Sequence, residues 1–127
     1  MNRKLDWSAL FLFTALLFGA VVRFMPAVSN GFPLNDGGMF YTMIRDLQAN
    51  HYLLPQFTSY NFAGIPFAYP PLGFYIAASL SSLLPVSDLQ TLLWLPALMN
   101  TFAIFAFYKL AGQILPSRVS ASLAALV

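Results

Sequence analysis

The chain has 127 residues, 59% of them hydrophobic and 8% charged, with a mean hydropathy of +0.71. A soluble domain carries about 25% charged residues, so this composition argues against an ordinary water-soluble domain and points to a bilayer as solvent. The net charge of +2 comes from six scattered basic residues, which offers no nucleic-acid patch, and the lack of cysteine excludes disulfides and thiolate metal sites.

Met1-Asn2-Arg3-Lys4 is a short basic tail. Apolar sequence then runs from Leu5 to Val22, interrupted by Asp6, Ser8 and Thr14. A span needs roughly 20 residues at 1.5 Å each, and one is expected over about 6–24. Trp7 would anchor it at one interface, and Arg23 would snorkel at the other. Arg3 and Lys4 would keep the N-terminus cytoplasmic. The basic start and Pro26-Ala27-Val28-Ser29 also suit a signal peptide. The apolar run is longer than the roughly 7–15 residues of such a segment, which favours an uncleaved anchor.

From Pro26 to Asp36 the turn formers Pro26, Asn30, Gly31, Pro33 and Asn35 accumulate. Apolar residues then recur at helical spacing: Met39, Phe40, Met43, Ile44 and Leu47. Tyr41, Thr42, Arg45, Asp46 and Gln48 fall largely on the other side. The pattern predicts a short amphipathic helix that lies in the membrane interface. Asn35 or Asp36 is placed to cap it. His51 to Pro71 alternates aromatic residues with Pro and Gly and reads as an ordered interfacial loop. The extracytoplasmic loop is expected to cover about 25–69.

Leu72 to Leu84 is apolar and ends at Pro85. As a span it would begin in the Tyr69-Pro70-Pro71 corner, over about 70–84. Ser87 or Asp88 caps the next helix. Thr91 to Ala111 reads as a span over 91–111, with a kink at Pro96. Val119 to Val127 begins another that is incomplete at 119–127. The expected fold is therefore all-α and polytopic: three transmembrane helices, the start of a fourth, and an interfacial helix in the first extracytoplasmic loop. The 127 residues read as the N-terminal part of a longer membrane protein. Charge raises a conflict. A crossing second segment puts Lys109 and Arg118 outside, against the positive-inside rule, whereas a re-entrant one puts them inside.

Asp36, framed by Gly37 and Gly38, is the leading candidate for chemistry. It would be a general base or an acceptor-orienting carboxylate, or alternatively only a helix cap. The two glycines would leave room for a substrate to approach the backbone. Asn35, Tyr41, Arg45 and Tyr69 are the candidate substrate-binding residues. Arg45 shares a helix face with Tyr41, and its guanidinium suits a phosphate or lipid headgroups. Asp46 reads as a solvated charge beside Arg45, and Asp88 as a cap. His51 has no partner at metal-ligand spacing. A transporter or flippase using Asp36 and Arg45, or a membrane module without a site, is the competing class. Transporters place such groups near the bilayer midplane in broken helices, whereas here they fall in a loop and an interfacial helix.

Four features in order carry a resemblance. They are the basic start with one span, Asn35-Asp36-Gly37-Gly38-Met39-Phe40-Tyr41 running to Asp46-Leu47, Tyr69-Pro70-Pro71-Leu72-Gly73-Phe74-Tyr75, and Leu95-Pro96-Ala97-Leu98-Met99-Asn100. Together they resemble the N-terminal region of the GT-C superfamily of polytopic glycosyltransferases, most closely its mannosyltransferase-like and RgtA-like bacterial members. The resemblance implies transfer of a sugar from a polyprenyl-phosphate donor to a glycan, lipid or protein acceptor outside the cell membrane. It implies Asp36 as general base, or as a ligand to a divalent metal (Mg or Mn) in the metal-dependent branches. It also implies that the second segment crosses fully. Gly37 stands where many relatives have a second acidic residue.

Overall fold

A computed structural model describes residues 6–126 and is mostly helical, with five α-helices. The basic tail with Arg3 and Lys4, and Val127, lie outside the described residues. The helix α1 spans Trp7–Asn30. Asp6 opens it by accepting the backbone N–H groups of Ser8 (3.1 Å) and Ala9 (3.3 Å), which satisfies two of the donors every helix start leaves unpaired. The helix winds through Pro26 rather than ending near Phe24, and stops before Gly31. That glycine has φ +62, a conformation it adopts without a Cβ clash.

The helix α4 spans Asp88–Ile114. Its start is a reciprocal capping box: Ser87 Oγ accepts the Gln90 N–H (3.2 Å), and Gln90 Oε1 accepts the Ser87 N–H (2.9 Å). Ser87, not Asp88, is therefore the cap. At 24 and 27 residues, α1 and α4 extend for about 36 and 40 Å and exceed the roughly 30 Å hydrocarbon core. Both are long and apolar enough to cross a membrane. Two described helices meet that test, where the sequence suggested three complete spans.

The chain divides into two compact units at its intrahelical prolines. One holds the residues through Pro26 and those from Pro96 onward. Within it a Cβ on Gly19 would fall on Ile104 Cδ1, so the missing side chain lets the two helices approach. Ser8 Oγ donates to the Arg118 carbonyl (3.0 Å), which brings the start of α1 beside the start of α5 (Arg118–Ala124). Ser117 caps α5 by accepting the Ser120 N–H (3.0 Å).

The other unit, Ala27–Leu95, contains the candidate site. Its helix α2 (Gly37–Ala49) buries Met43, Ile44 and Leu47 completely. These positions fall on one helical face. They cluster with Phe67 and with Phe74, Ala77 and Ala78 of α3 (Leu72–Leu83). Burial of each large side chain contributes about 1.5–3 kcal/mol. Between the helices the loop folds into a short antiparallel ladder, β1 (Phe57–Thr58) with β2 (Ile65–Pro66), pairing Phe57 with Pro66 and Thr58 with Ile65. The fold is mostly helical rather than strictly all-α for that reason. Asn61 and Phe62 turn the chain between the strands, each at φ +54.

The helix α3 opens directly after Pro71 and has 12 residues, so it is about 18 Å long. That is well short of the hydrocarbon core. Leu84 is extended (φ −112, ψ 156) and Pro85 follows, which removes any helical continuation.

Candidate active site

The turn into α2 is built by Asn35 in the left-handed region (φ +56), which asparagine tolerates better than most residues. Asp36 then occupies the N-cap position, and its carbonyl accepts the Phe40 N–H (2.9 Å). Its side chain makes no capping bond. The carboxylate instead takes a hydrogen bond at Oδ2 from the hydroxyl of Tyr69, 33 residues away, at 3.2 Å. Asp36 Oδ1 has no hydrogen-bond partner among the described residues, and the residue is exposed. A carboxylate that could have been spent on the helix start is thus open to a ligand on one oxygen.

Tyr69 is held by aromatic packing. Its ring meets Phe40 of α2 edge-on at 5.1 Å and Phe74 of α3 at 6.5 Å, while Phe40 and Phe74 lie 5.5 Å apart. Each such pair contributes about 0.5–1.5 kcal/mol beyond area burial. The hydrogen bond to Asp36, then the charge of that carboxylate, then desolvation hold the Tyr69 phenol above its ordinary value of 10.0.

The glycines after Asp36 do not leave a gap for substrate. A Cβ on Gly37 would stand 2.6 Å from Pro33 Cβ, and one on Gly38 would touch the Tyr60 ring at 3.5 Å. The chain's own Pro33 and Tyr60 fill that space. Gly37 is buried because the turn folds back on it.

Tyr41 and Arg45 form a second pair on α2. The guanidinium lies 5.8 Å from the Tyr41 ring centroid, with Arg45 Nη1 3.5 Å from the Tyr41 hydroxyl. They line an open groove of about 500 Å³ with Thr42, Asp46, Gln48 and Ser59. Asp36 and Tyr69 do not line it. The structure therefore brings the sequence candidates together as two pairs, and Asn35 joins neither by a hydrogen bond.

Asp46 is a latch rather than a solvated charge. Its Oδ2 accepts from Thr58 Oγ1 (2.7 Å) and from the Ser59 N–H (2.8 Å), and its Oδ1 accepts from Ser59 Oγ (2.6 Å). These bonds fasten the loop at β1 to α2. Charge-assisted bonds are about twice as strong as neutral ones. With Asp46 so engaged, Arg45 is the groove's one charge with no carboxylate partner among the described residues.

Gln48 is a hub that sequence reasoning passed over. Its Nε2 donates to Asp88 Oδ1 (2.9 Å) and Ser81 Oγ (3.1 Å), joining α2, α3 and the start of α4. Tyr52 Oη donates to Ser82 Oγ (2.7 Å) beside it. The only sequence signal was the polar run Ser81-Ser82 inside an apolar helix. His51 is exposed with φ +52.

A hard divalent cation takes six or more oxygen ligands, several of them from protein or substrate. Asp36 offers one carboxylate beside a phenol, and no group of three His, Asp or Glu side chains gathers among the described residues. These residues do not by themselves make a metal site. Comparison with protein-family models, curated proteins and solved structures finds no match to this chain.

Proposed function

We propose that the protein is a membrane glycosyltransferase that moves a sugar from a polyprenyl-phosphate donor to an acceptor hydroxyl on the extracytoplasmic side. In this reading α1 and α4 cross the cell membrane, the N-terminus is cytoplasmic, and α2 lies at the outer interface. The observation that carries it is Asp36. Its carboxylate stands at a helix start without capping it, is oriented by Tyr69 at 3.2 Å, and is accessible. The order of motifs along the chain supports the same reading.

The chemistry follows from those groups. The free oxygen of Asp36 takes the proton of the acceptor hydroxyl as its oxygen attacks the anomeric carbon. The bond from that carbon to the phosphate oxygen breaks, and its electron pair leaves with the lipid phosphate. Tyr69 holds the carboxylate still during the transfer. The transition state is oxocarbenium-like, as in glycoside hydrolysis. Arg45, stacked on Tyr41 and without a carboxylate partner, is suited to an anionic phosphate.

The test is transfer of labelled sugar from a polyprenyl-phosphate donor by the full-length protein in membranes. Asp36→Asn should lower the rate about 10²–10⁴-fold while leaving thermal stability near wild type, because no cap bond is lost. Undiminished transfer by a folded Asp36→Asn protein would refute the base role.

A further inference from the structure

We propose that Arg23 and Asn100 form a site within the membrane for the phosphate of an anionic phospholipid, whose acyl chain lies in the cleft beside Gly19. The proposal rests on α1 and α4 being membrane spans and is independent of the sugar chemistry at Asp36.

The unit made of the residues through Pro26 and those from Pro96 onward fixes the geometry. The bond from Ser8 Oγ to the Arg118 carbonyl puts the start of α1 beside the start of α5, just past the end of α4. Gly19 meets Ile104 farther along both helices. The two helices therefore run antiparallel. One turn beyond Gly19 on α1 stands Arg23, and one turn before Ile104 on α4 stands Asn100. The fold thus sets a charged residue and a carboxamide at one level, about 10 Å of helix short of the end of α1 at Asn30.

The chain gives neither group its full set of partners. Arg23 does not reach outward to the interface, as its place near the end of the apolar run suggested. Its side chain folds back one turn, and Nη1 donates to the Gly19 carbonyl at 3.2 Å. That direction follows from the tilt of the Cα–Cβ bond toward a helix's N-terminus. A Cβ on Gly19 would stand 2.9 Å from Nη1, so the glycine is what admits the guanidinium. The chain has four acidic residues. Each has its hydrogen bonds elsewhere: Asp6 with Ser8, Asp36 with Tyr69, Asp46 with Thr58 and Ser59, and Asp88 with Gln48. Thr14 and Thr101 return their hydroxyls to carbonyls of their own helices, at Leu10 (3.0 Å) and Ala97 (2.8 Å). Asn100 does not: it is exposed and has no hydrogen-bond partner among the described residues.

An uncompensated charge and a free amide are costly in hydrocarbon, and residues of this kind mark ligand sites there. Arg23 also lines a cleft of about 130 Å³ whose other walls include Phe18, Gly19, Val22, Ile104 and Leu126. Phe18 is 64% exposed, so the cleft opens on the surface that faces lipid. A guanidinium fork pairs with two phosphate oxygens, and the NH2 of a carboxamide donates to a third. The apolar walls take a hydrocarbon chain. A lipid with one net negative charge cancels Arg23, whereas a zwitterionic lipid brings a cation of its own. Arginine at this depth is reconciled with the bilayer by local thinning, which brings headgroup phosphates inward. The occupant is a phospholipid because that is what surrounds a cleft open to the bilayer.

The test is lipid binding by the full-length protein, purified in detergent and stripped of lipid. Dioleoylphosphatidylglycerol, dioleoylphosphatidylcholine and undecaprenyl phosphate are added in turn, and bound lipid is counted by native mass spectrometry. Wild type should retain one phosphatidylglycerol in preference to phosphatidylcholine. Arg23→Gln should weaken that binding about 10–100-fold, the loss of a charge-assisted contact. Arg23→Lys keeps the charge without the fork and should fall between the two. Gly19→Ala and Asn100→Leu should each weaken retention as well, by unseating the guanidinium and by removing the amide. Asp36→Asn should bind lipid as wild type does whether or not it transfers sugar, which separates this site from the sugar reading. Equal retention by wild type and Arg23→Gln, or no preference for the anionic lipid, would overturn the proposal. Tighter binding of undecaprenyl phosphate than of phosphatidylglycerol would overturn the phospholipid assignment. Release of the wild-type protein from membranes by alkaline carbonate would remove the spans, and the proposal with them.

Discussion

Replacing Asp46 by alanine removes three acceptor bonds at once, from Thr58 Oγ1, the Ser59 N–H and Ser59 Oγ. A hydrogen bond to a charged group contributes about 1.5–3 kcal/mol net, against about 0.5–1.5 for a neutral one. The three are not additive. Ser59 is exposed, so water takes over its bonds. Thr58 is 3% exposed, so its hydroxyl is stranded, at about 1–3 kcal/mol. The net expectation for Asp46→Ala is a loss of about 2–4 kcal/mol. Asparagine behaves differently. Its amide oxygen in the Oδ2 place still accepts from Thr58 and the Ser59 N–H, and its NH2 donates to Ser59 Oγ, which turns to accept. Only charge assistance is lost, about 1 kcal/mol. Unfolding in mild detergent, with hydrogen exchange at the Ser59 amide, measures both variants. Alanine should free that amide to exchange, and asparagine should leave it protected. Sugar transfer below the unfolding transition should fall far less than in Asp36→Asn. An alanine variant as stable as wild type, or asparagine as damaging as alanine, would show that other contacts hold the loop.

Tyr69 should titrate above 10.0, visible as the phenolate absorbance missing from Tyr69→Phe, and Asp36→Asn should return it toward 10.0 by removing the charge and leaving a weaker, neutral acceptor. Because its folded value is raised, the stability it contributes is complete below pH 10.0 and is lost as pH rises through the raised value. A Tyr69 titration unchanged by Asp36→Asn would count against the contact. Gly37→Ala and Gly38→Ala should act in opposite directions. The first sets a Cβ 2.6 Å from Pro33 and costs about 1–3 kcal/mol of overpacking. The second meets Tyr60 at an ordinary 3.5 Å and gains up to about 1 kcal/mol of helix propensity. Thermal unfolding of the two variants in detergent checks the pair, and equal effects would show that Pro33 yields.

The sequence by itself determined the bilayer-like composition, the two long apolar helices and the amphipathic face of α2. Those properties are local or periodic. Burial of Met43, Ile44 and Leu47 follows from their spacing, and the stop of α3 follows from Pro85. Asp36 was legible as an odd carboxylate between glycines, but its partner was not. Only folding brings Tyr69 across 33 positions to a carboxylate that its own helix leaves unused. The roles of Asp46 and Gln48 were equally hidden, because each depends on contacts 12 to 40 residues distant. The glycines show the same limit. Their freedom is written in the sequence, but the fact that Pro33 and Tyr60 occupy the space beside them is a property of packing. The depth of α3 was undecided between two readings of the same apolar run. A hydrophobic segment records that it avoids water, not which side of it avoids water. The packing of α3 against α2 and the bond from Gln48 to Asp88 are likewise hidden in the sequence, because they join residues distant along the chain.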